Sequence, residues 1–437
     1  MKRRPPLKWF LAAALFWALF PLSANSQKIL KDIEYAKPGG ISLKLDLYLP
    51  AKGLGPAPLV VWIHGGGWYA GGKEEARFGA LALMLRGFAV ASVNYRLSTQ
   101  AKFPAQIWDC KGAVRWLRAH ASKYGLDPRR VAALGPSAGG HLSALLGTSS
   151  GVARLEGTVG GNLRESSSVM AVVDFYGPTD FFKEGGFHNS PSSPESVLIG
   201  KPLGEILANL KNPAYAKWVA LVRDANPMTF VDPKDPPFYI AHGLDDPLVP
   251  YTQSTLLEAA LKKAGVPVTL KLVPMAGHGL PSSDVNKAFD FLEKILRPSS
   301  VFKPFGKGCL GTGGVPVLNA TPGGFPALGK AFQVYLSNLP SSGGAVFLAV
   351  GDSSSSWAGM HLPLSLNSLG MRGCNIYTDM DIVLPLTASK GRAYYTYTFP
   401  SNRALLGRRF YIQGMVLDRG SSGGLTVSNA AMGVVGR

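Results

Sequence analysis

The segment from Val131 to His141 constrains the possible folds of this chain more than any other. Apolar residues 131–134 lead into the sequence GPSAG at positions 135–139, and small and apolar residues follow. A G-x-S-x-G pattern between a strand and a helix is typical of a sharp turn that exposes its serine hydroxyl above a sheet. Glycine suits the flanking positions, because a Cβ there would collide with a neighbouring strand or helix. The pattern predicts Ser137 as a nucleophile, with an ordinary glycine-rich loop as the alternative in a chain of 52 glycines.

Strands and helices alternate along residues 41–296. Residues 41–49 alternate apolar and polar side chains, as in a half-buried strand, whereas residues 59–63 are apolar throughout, as in a strand covered on both faces. Further strands are predicted at residues 88–93, 131–134, 169–175, 238–241 and 268–273, and helices at 77–85, 104–124, 252–264 and 283–296. This alternation predicts an α/β fold with a mostly parallel sheet over residues 27–297. Residues 181–225 break it and are predicted to form a cap-like insertion.

Residues 1–26 have the three parts of a secretory signal peptide. The first eight residues carry four basic side chains, and residues 9–22 form an apolar stretch that is too short to span a bilayer comfortably. Small residues precede Gln27, so we expect cleavage between Ser26 and Gln27 and a secreted or periplasmic mature protein. An uncleaved anchor is the alternative, and no stable membrane span is expected later in the chain.

The composition changes after residue 297. Residues 298–304 are predicted to be a linker, and residues 305–437 contain short β-like runs separated by Gly, Ser, Asn and Pro. This pattern predicts a C-terminal all-β accessory domain with a sandwich-like architecture. It holds Cys309 and Cys374, which we expect to form a disulfide in a secreted chain. Two unpaired thiols are the alternative if the signal-peptide interpretation is wrong.

The formal net charge of +18 is spread along the chain, and its only dense basic run lies at residues 2–4. A diffuse positive surface suits acidic polysaccharides or membranes, and more often it serves only solubility. No nucleic-acid partner is expected, because nucleic-acid binding usually shows a clustered basic patch. The histidines and cysteines lack the spacing of metal ligands, so no metal site is expected either.

Three residue types that nucleophilic catalysis needs fall just past predicted strands: Ser137, Asp246 and His278. A serine hydroxyl needs a neighbouring base, and that base needs a carboxylate that fixes its tautomer and stabilises the imidazolium. Their order along the chain and their place at the ends of strands are those expected of α/β hydrolases. Asp245 is the alternative to Asp246, which we favour because an Asp-Pro pair suits a carboxylate held on a loop after a strand.

A glycine run, HGGG at positions 64–67, directly follows the strand predicted at residues 59–63. Acyl transfer builds negative charge on a carbonyl oxygen, and backbone N–H groups must already point at that oxygen. Consecutive glycines allow this close approach, so we assign the N–H groups of Gly66, Gly67 and Ala138 as an oxyanion hole. A phosphate-binding role is less well supported, since no Lys-Ser/Thr pair follows the run.

With these motifs, residues 30–297 resemble the α/β-hydrolase carboxylesterases related to hormone-sensitive lipase. Within that family they look most like the branch that contains bacterial feruloyl and acetyl xylan esterases. The resemblance rests on HGGGW at 64–68, GPSAGGH at 135–141, VDFYGP at 173–178, HGLDDPLVP at 242–250 and GHG at 277–279. It implies serine esterase activity through an acyl-enzyme, without a cofactor, and an acid at Asp246. Pro136 departs from the family, whose members often carry Glu, Asp or Trp there. Proline has no N–H and a fixed φ that suits the turn, and we expect it to reshape the floor of the site.

The sequence leaves the substrate open. Five aromatic residues are candidates for lining the substrate pocket: Trp68, Tyr69, Phe181, Trp218 and Tyr251. The first hypothesis is a secreted ester hydrolase that removes acetyl or feruloyl groups from polysaccharides, with short-chain esters, lipids or short peptides as alternative substrates. The second is a carbohydrate- or surface-binding protein whose β domain contacts the ligand and whose hydrolase domain is vestigial. The intact catalytic elements favour the first hypothesis.

Overall fold

The structure, a computed structural model, describes residues 27–51, 56–297, 299–341, 344–401, 405 and 407–436. The expected signal peptide, residues 1–26, therefore lies outside the described residues. The chain divides into two compact units. Among the described residues, the N-terminal unit comprises residues 27–51 and 56–297, and the C-terminal unit begins after Arg297.

The N-terminal unit is built on one sheet. Its strands are β1 Lys28–Ala36, β2 Leu43–Leu49, β3 Ala57–Ile63, β4 Ala89–Val93, β5 Leu126–Pro136, β6 Ala171–Phe175, β7 Phe238–Gly243 and β8 Val268–Val273. Within the described residues these eight strands pair in the order β1-β2-β4-β3-β5-β6-β7-β8. The pairs β1–β2 and β2–β4 are antiparallel, and all the others are parallel. The C-terminal ends of β3, β5, β7 and β8 therefore lie at one edge, where sites of open α/β sheets form.

Helices cover both faces of this sheet, because successive side chains of a strand point to opposite faces. The helices are α1 Arg77–Leu85, α2 Ala105–Ala119, α3 Ala121–Tyr124, α4 Ala138–Thr148, α5 Ala153–Glu156, α6 Pro194–Ile199, α7 Leu203–Ala208, α8 Ala216–Ala225, α9 Thr252–Lys263 and α10 Ser282–Leu296. In β3, Val61 joins the core beneath α2, α4 and α9, and Val60 joins the core beneath α1 and α10. These three layers confirm the predicted α/β fold with a mostly parallel sheet. No helix in the described part of the chain combines the length and apolarity of a membrane span.

Two elements differ from the sequence-based expectation. The helix predicted over residues 104–124 is divided into α2 and α3, because His120 leaves helical geometry with φ −103° and ψ 12°. Strand β1 was not predicted, since most of its side chains are exposed and give no apolar alternation. It forms one edge of the sheet and pairs with β2 alone among the described strands.

The predicted cap-like insertion, residues 181–225, folds into short helices between β6 and β7. A 3₁₀ turn at Gly186–Asn189 precedes α6 and α7, and another at Pro213–Tyr215 precedes α8. Leu198, Leu203 and Val222 are fully buried and belong to the core beneath α2 and α4. The insertion is thus anchored to the N-terminal unit by apolar side chains from each of its helices.

The C-terminal unit consists of short strands, as predicted. They are β9 Val301–Phe305, β10 Val317–Ala320, β11 Ala331–Ser337, β12 Val346–Gly351, β13 Ser356–Trp357, β14 Met360–His361, β15 Leu364–Ser365, β16 Asn375–Ile376, β17 Ile382–Leu386, β18 Ala388–Ser389, β19 Arg392–Thr398, β20 Arg409–Leu417 and β21 Leu425–Val434. Two antiparallel sheets hold most of them, β10-β11-β19-β18 and β17-β12-β20-β21-β9. Phe332 and Val334 of β11 share one core with Leu348 of β12 and Ile412 of β20, which is the packing of a sandwich.

The predicted linker at residues 298–304 requires a correction. Residues 301–304 belong to strand β9, which pairs antiparallel with β21 from Val301↔Val434 to Phe305↔Ala430. The β domain therefore starts within the segment that was assigned to the linker. The run Val-Phe-Lys-Pro-Phe is too short to show a strand period, and its partner lies far away in the sequence.

The expected disulfide is present in the C-terminal unit. Cys309 and Cys374 are bonded with an S–S distance of 2.00 Å and a sequence separation of 65 residues. Both cysteines lie in a small buried cluster with Leu366, Ile376 and Val427. Cys110 is a buried free cysteine of the N-terminal unit, on the apolar face of α2.

Replacing Cys309 and Cys374 together with serine is expected to destabilise the C-terminal unit by about 4 kcal/mol, since a long loop regains chain entropy in the unfolded state. Hydrogen exchange read by mass spectrometry as a function of urea measures the two units separately. The N-terminal unit is the internal control and should unfold at the same urea concentration as in the wild type. An unchanged midpoint for the C-terminal unit would contradict the prediction.

Candidate active site

Ser137 occupies a sharp turn between β5 and α4. Its backbone has φ 53° and ψ −123°, and its N–H donates to the carbonyl of Phe175 at 2.8 Å. A Cβ on Gly139 would lie 2.1 Å from the carbonyl oxygen of Ile63, and one on Gly135 would lie 2.4 Å from it. The end of β3 thus passes too close to the turn for side chains at these two positions, as the sequence predicted. This approach holds Ser137 in a strained conformation that exposes its hydroxyl.

The structure brings the three predicted catalytic side chains into one hydrogen-bonded chain. His278 Nε2 lies 3.0 Å from Ser137 Oγ, and His278 Nδ1 lies 2.7 Å from Asp246 Oδ2. A carboxylate only accepts hydrogen bonds, so Nδ1 carries the proton and Nε2 is free to accept one from the serine. The arrangement has the geometry of a nucleophile, a base and an orienting acid.

Asp246 is held by donors on both of its oxygens. Oδ1 accepts from the N–H groups of Leu248 at 2.9 Å and Val249 at 3.0 Å, and Oδ2 also lies 3.2 Å from His242 Nε2. Burial acts to raise the pKa of Asp246, but the hydrogen bonds from His242, His278 and the two N–H groups outweigh it and hold the pKa well below its usual range. Asp246 therefore stays ionised beside His278.

Asp245, the alternative acid, makes a different contact. Its side chain is exposed, and its backbone N–H donates to the carbonyl of Ala276 at 3.0 Å. Neighbouring residues of a loop point in different directions. Of these two aspartates, only Asp246 contacts His278 in the described part of the chain.

The glycine loop lies directly against the Ser137 turn. A Cβ on Gly65 would stand 3.6 Å from the Ser137 Cβ, and Gly66 and Gly67 have φ values of 90° and 58° that favour glycine. The Tyr95 hydroxyl lies 3.2 Å from the carbonyl of His64 and 3.3 Å from that of Gly65. Tyr95 also stacks on the His64 ring, with the ring centres 4.2 Å apart. Tyr95 therefore holds the glycine loop in place, a role that the sequence did not predict.

The predicted oxyanion donors have free N–H groups in this arrangement. Within the described part of the chain, the N–H groups of Gly66 and Gly67 donate to no other protein group. Ala138 is the first residue of α4, where backbone N–H groups have no partner inside the helix. The positive end of the helix dipole also favours negative charge at this position.

Two of the five predicted pocket aromatics require a correction. Trp68 and Phe181 are 1% and 0% exposed and pack against each other at 5.6 Å as part of the core. Trp218 is half-buried on α8, beneath the ammonium of Lys217. Tyr69 is 49% exposed and its ring lies against Gly67, and Tyr251 is 38% exposed. Tyr69 and Tyr251 thus remain the accessible candidates, because side-chain direction rather than residue type decides which aromatic is exposed.

His141 connects the Ser137 turn to the insertion. Its Nδ1 accepts from the indole N–H of Trp68 at 3.2 Å, and its Nε2 lies 2.7 Å from the carbonyl of Ala225 at the end of α8. The ring also stacks on Phe181 at 5.3 Å. Burial lowers the pKa of His141 to about 4, so the ring is neutral and each nitrogen keeps one fixed role.

Tyr176 and Asp174 are site residues for which the sequence suggested no role. Tyr176 has a φ of 46°, and its ring lies 4.7 Å from the ring of His278. Asp174 is fully buried beneath the turn, and its Oδ1 accepts from the N–H of Gly177 at 2.9 Å. Burial raises the pKa of Asp174 to about 6. Their position at the end of β6, beside β5, is the signal that could have revealed them.

The N-terminal unit is similar to known proteins in sequence and in fold. A family model described as BD-FAE matches residues 45–261. Esterase LipQ of Mycobacterium tuberculosis is 32% identical over 254 residues, which cover 56% of this chain and 56% of LipQ. The chain spans about half the length of the curated relatives it matches.

Two solved structures share the fold. A truncated form of a carbohydrate esterase from gut microbiota is 34% identical with a TM-score of 0.55, and the match covers 62% of this chain and 96% of that chain. A bifunctional GH43-CE protein of Bacteroides eggerthii is 37% identical with a TM-score of 0.52, covering 61% of this chain and 38% of that chain.

The neutral state of His141 predicts a pH effect on stability. From pH 6.5 down to about 4 the unfolded chain binds a proton at this histidine and the folded chain does not, so this residue lowers stability as the pH falls. In the wild type this histidine should lower the free energy of unfolding by about 3 kcal/mol between neutral pH and pH 4, and His141→Gln should remove that decrease. Urea unfolding of the N-terminal unit at a series of pH values measures it.

The pH dependence of the variant's stability must be compared with that of the wild type. The raised pKa of Asp174 increases the stability of the folded state as the pH falls, over part of the same pH range, and this opposes the effect of His141. His361→Gln is the matched control, since His361 is exposed. The control should keep the wild-type slope of stability against pH. An identical slope for His141→Gln would show that His141 does not carry the effect.

Proposed function

We propose that this chain, which belongs to the BD-FAE family of hormone-sensitive-lipase-like α/β hydrolases, is a secreted serine carboxylesterase that removes acyl groups from polysaccharides. The observation that carries the proposal is the hydrogen-bonded chain from Ser137 through His278 to Asp246, beside a loop with free N–H groups. Each part of this geometry corresponds to one requirement of ester hydrolysis.

In the first half of the reaction, Ser137 Oγ attacks the ester carbonyl carbon while His278 Nε2 takes the hydroxyl proton. The imidazolium that forms is stabilised by the ionised Asp246 at Nδ1. The carbonyl oxygen becomes an oxyanion, and the N–H groups of Gly66, Gly67 and Ala138 are proposed to bind it. Collapse of this intermediate breaks the C–O bond, and the alcohol leaves with the proton from Nε2.

In the second half, water hydrolyses the acyl-enzyme. His278 Nε2 removes a proton from the water, and the resulting hydroxide attacks the acyl carbon. The second oxyanion collapses, the acid is released, and the proton returns to Ser137 Oγ. All steps use groups of this chain and water alone.

The substrate class is supported by the similar structures. One of them is a carbohydrate esterase and another a bifunctional GH43-CE protein, so we infer an ester-linked acetyl or feruloyl group on a polysaccharide. Short-chain esters are the alternative, in line with the similarity to esterase LipQ. Secretion is supported by the signal-like residues 1–26 and by the Cys309–Cys374 disulfide, which suits an oxidising compartment.

We infer that the C-terminal unit contacts carbohydrate through the outer face of the β10-β11-β19 sheet. Tyr335 and Tyr394 lie opposite each other on β11 and β19, with ring centres 6.1 Å apart, and Tyr394 is 49% exposed. Beside them, the Gln333 amide donates to the Thr396 hydroxyl at 2.9 Å. Exposed aromatic rings next to polar groups suit sugars, which have apolar C–H faces and hydroxyl rims.

Ser137→Ala should abolish hydrolysis of a p-nitrophenyl ester panel, from acetate to palmitate with a ferulate ester, because no nucleophile remains. Asp246→Asn should lower kcat by roughly 10³–10⁴-fold, since the imidazolium loses its counter-charge and the tautomer is reversed. Steady-state kinetics with the full chain measures both variants.

Asp245→Asn is the matched control for Asp246→Asn, because the two residues are adjacent and Asp245 is exposed. It should keep kcat within about twofold of the wild type, as for a surface substitution. Equal rates for the wild type and Ser137→Ala would refute Ser137 as the nucleophile. The absence of any activity in the wild type would favour peptide substrates, and failing those the binding protein with a vestigial hydrolase domain. The chain-length profile separates the acetyl, feruloyl and longer acyl groups.

Tyr394→Ala should weaken retention on insoluble acetylated xylan by about tenfold, because a stacking surface worth roughly 1.4 kcal/mol is lost. Phe325→Ala is the control, since Phe325 is a similarly exposed aromatic residue of the same unit, on the loop between β10 and β11. Depletion assays measure retention, and hydrolysis of soluble esters should be unchanged in both variants. Equal retention of wild type and Tyr394→Ala would refute the proposed carbohydrate face.

A further inference from the structure

A buried cluster of ligand-type side chains lies in the insertion, outside the hydrolytic site. His188 Nδ1 lies 3.1 Å from Glu195 Oε1 and 3.6 Å from Glu184 Oε2. One ligand atom from each of the three residues fits within 4.8 Å of the others. Glu184 lies before the 3₁₀ turn at Gly186–Asn189, His188 lies in that turn, and Glu195 lies in the first turn of α6, so no single motif in the sequence contains the cluster.

The two carboxylates of this cluster are buried, and three of their four oxygens accept no hydrogen bond. The side chains of Glu184 and Glu195 are 0% and 3% exposed. Both oxygens of Glu184 and Oε2 of Glu195 have no hydrogen-bond partner. Among the described residues, no lysine or arginine forms an ion pair with either carboxylate, and the nearby Lys183 pairs with Asp180 instead. Burial of unpaired carboxylates is costly unless a cation compensates their charge.

The tautomer of His188 adds an independent observation. His188 Nε2 lies 3.0 Å from the carbonyl oxygen of Leu248, which can only accept, so Nε2 carries a proton. The other ring nitrogen, Nδ1, faces the two carboxylates. A cation bound between the three ligand atoms would compensate the negative charge of the two carboxylates. A ring N–H held by a carbonyl is also the usual outer contact of a histidine that ligates a metal.

We propose that Glu184, His188 and Glu195 bind one divalent cation of the transition-metal class, best matched by zinc. An imidazole nitrogen with two carboxylate oxygens is a ligand set that zinc accepts, and three protein ligands leave a fourth position for water. Calcium and magnesium fit less well, because they prefer oxygen ligands throughout. Sequence spacing alone did not reveal the site, and no metal had been expected.

The site joins the insertion to the loops of the hydrolytic centre. The carbonyl of Leu248 accepts from His188, and the N–H of Leu248 donates to Asp246 Oδ1 at 2.9 Å. Next to Glu195, Pro194 lies 3.2 Å from the position that a Cβ on Gly67 would take. The cation therefore has a positioning role, since it fixes the insertion against both the loop that holds Asp246 and the glycine run at residues 64–67.

Isothermal titration calorimetry with zinc chloride tests the proposal on the tag-free mature chain, residues 27–437, after removal of metals with EDTA. We expect one zinc ion per chain, and Glu195→Gln should weaken binding at least tenfold. Elemental analysis after dialysis checks the stoichiometry. The unfolding temperature of the N-terminal unit should rise with zinc in the wild type and not in Glu195→Gln.

The control is the double variant Asp352→Asn with Asp381→Asn, which removes an acidic cluster formed with Asp379 in the C-terminal unit. This variant should bind zinc as the wild type does, and it keeps the test valid if Glu195→Gln does not fold. The proposal is overturned if the stripped wild type binds no zinc, if the double variant loses zinc, or if a folded Glu195→Gln binds it equally well. Tighter binding of calcium chloride than of zinc chloride would overturn the assigned metal class.

Discussion

The approach of the end of β3 to the Ser137 turn is the contact on which the site depends. The Ile63 carbonyl stands so close to residue 139 that only glycine fits there. Because Ile63 is followed at once by the glycine loop, the same approach brings residues 65–67 against the serine. The strained nucleophile and its neighbouring N–H groups are therefore positioned together by one backbone contact, which β-sheet pairing between β3 and β5 maintains.

Asp246 plays the corresponding role on the opposite side of Ser137. It accepts hydrogen bonds from two imidazoles and from two backbone N–H groups of its own loop, Leu248 and Val249. This number of donors keeps a carboxylate ionised although its side chain has no contact with solvent. The loop conformation and the charge state of the acid thus depend on each other, and the orientation of His278 follows from both.

The insertion is tied to this centre by polar contacts rather than by apolar packing alone. His141 reaches the carbonyl of Ala225, and His188 reaches that of Leu248, so each ring joins the insertion to a different loop of the site. Buried polar contacts of this kind have strict geometry, because any misplacement leaves an unpaired group in a low-dielectric interior. They specify one position of the insertion, whereas apolar contacts tolerate several.

Local patterns in the sequence were sufficient to predict the fold class of both units. The continuous apolar run of β3 reflects burial on both faces of the sheet, and the spacing of apolar residues in α2 reflects burial on one face of the helix. Burial of this kind produces a periodic pattern of apolar residues that can be recognised in the sequence. The glycines around Ser137 and the order of Ser137, Asp246 and His278 were visible for the same reason, since each follows a strand end. Strand β1 and the start of β9 were missed, because exposed edge strands and very short strands carry no period.

What the sequence determined by itself is thus the layered architecture and the edge of the sheet at which the chemistry lies. Only the tertiary structure decided that Asp246 rather than Asp245 contacts His278, and that Trp68 belongs to the core while Tyr69 is exposed. It alone brought Glu195 to Glu184 and His188. The physical reason is that side-chain direction depends on how distant elements pack, and local spacing along the chain does not encode that packing.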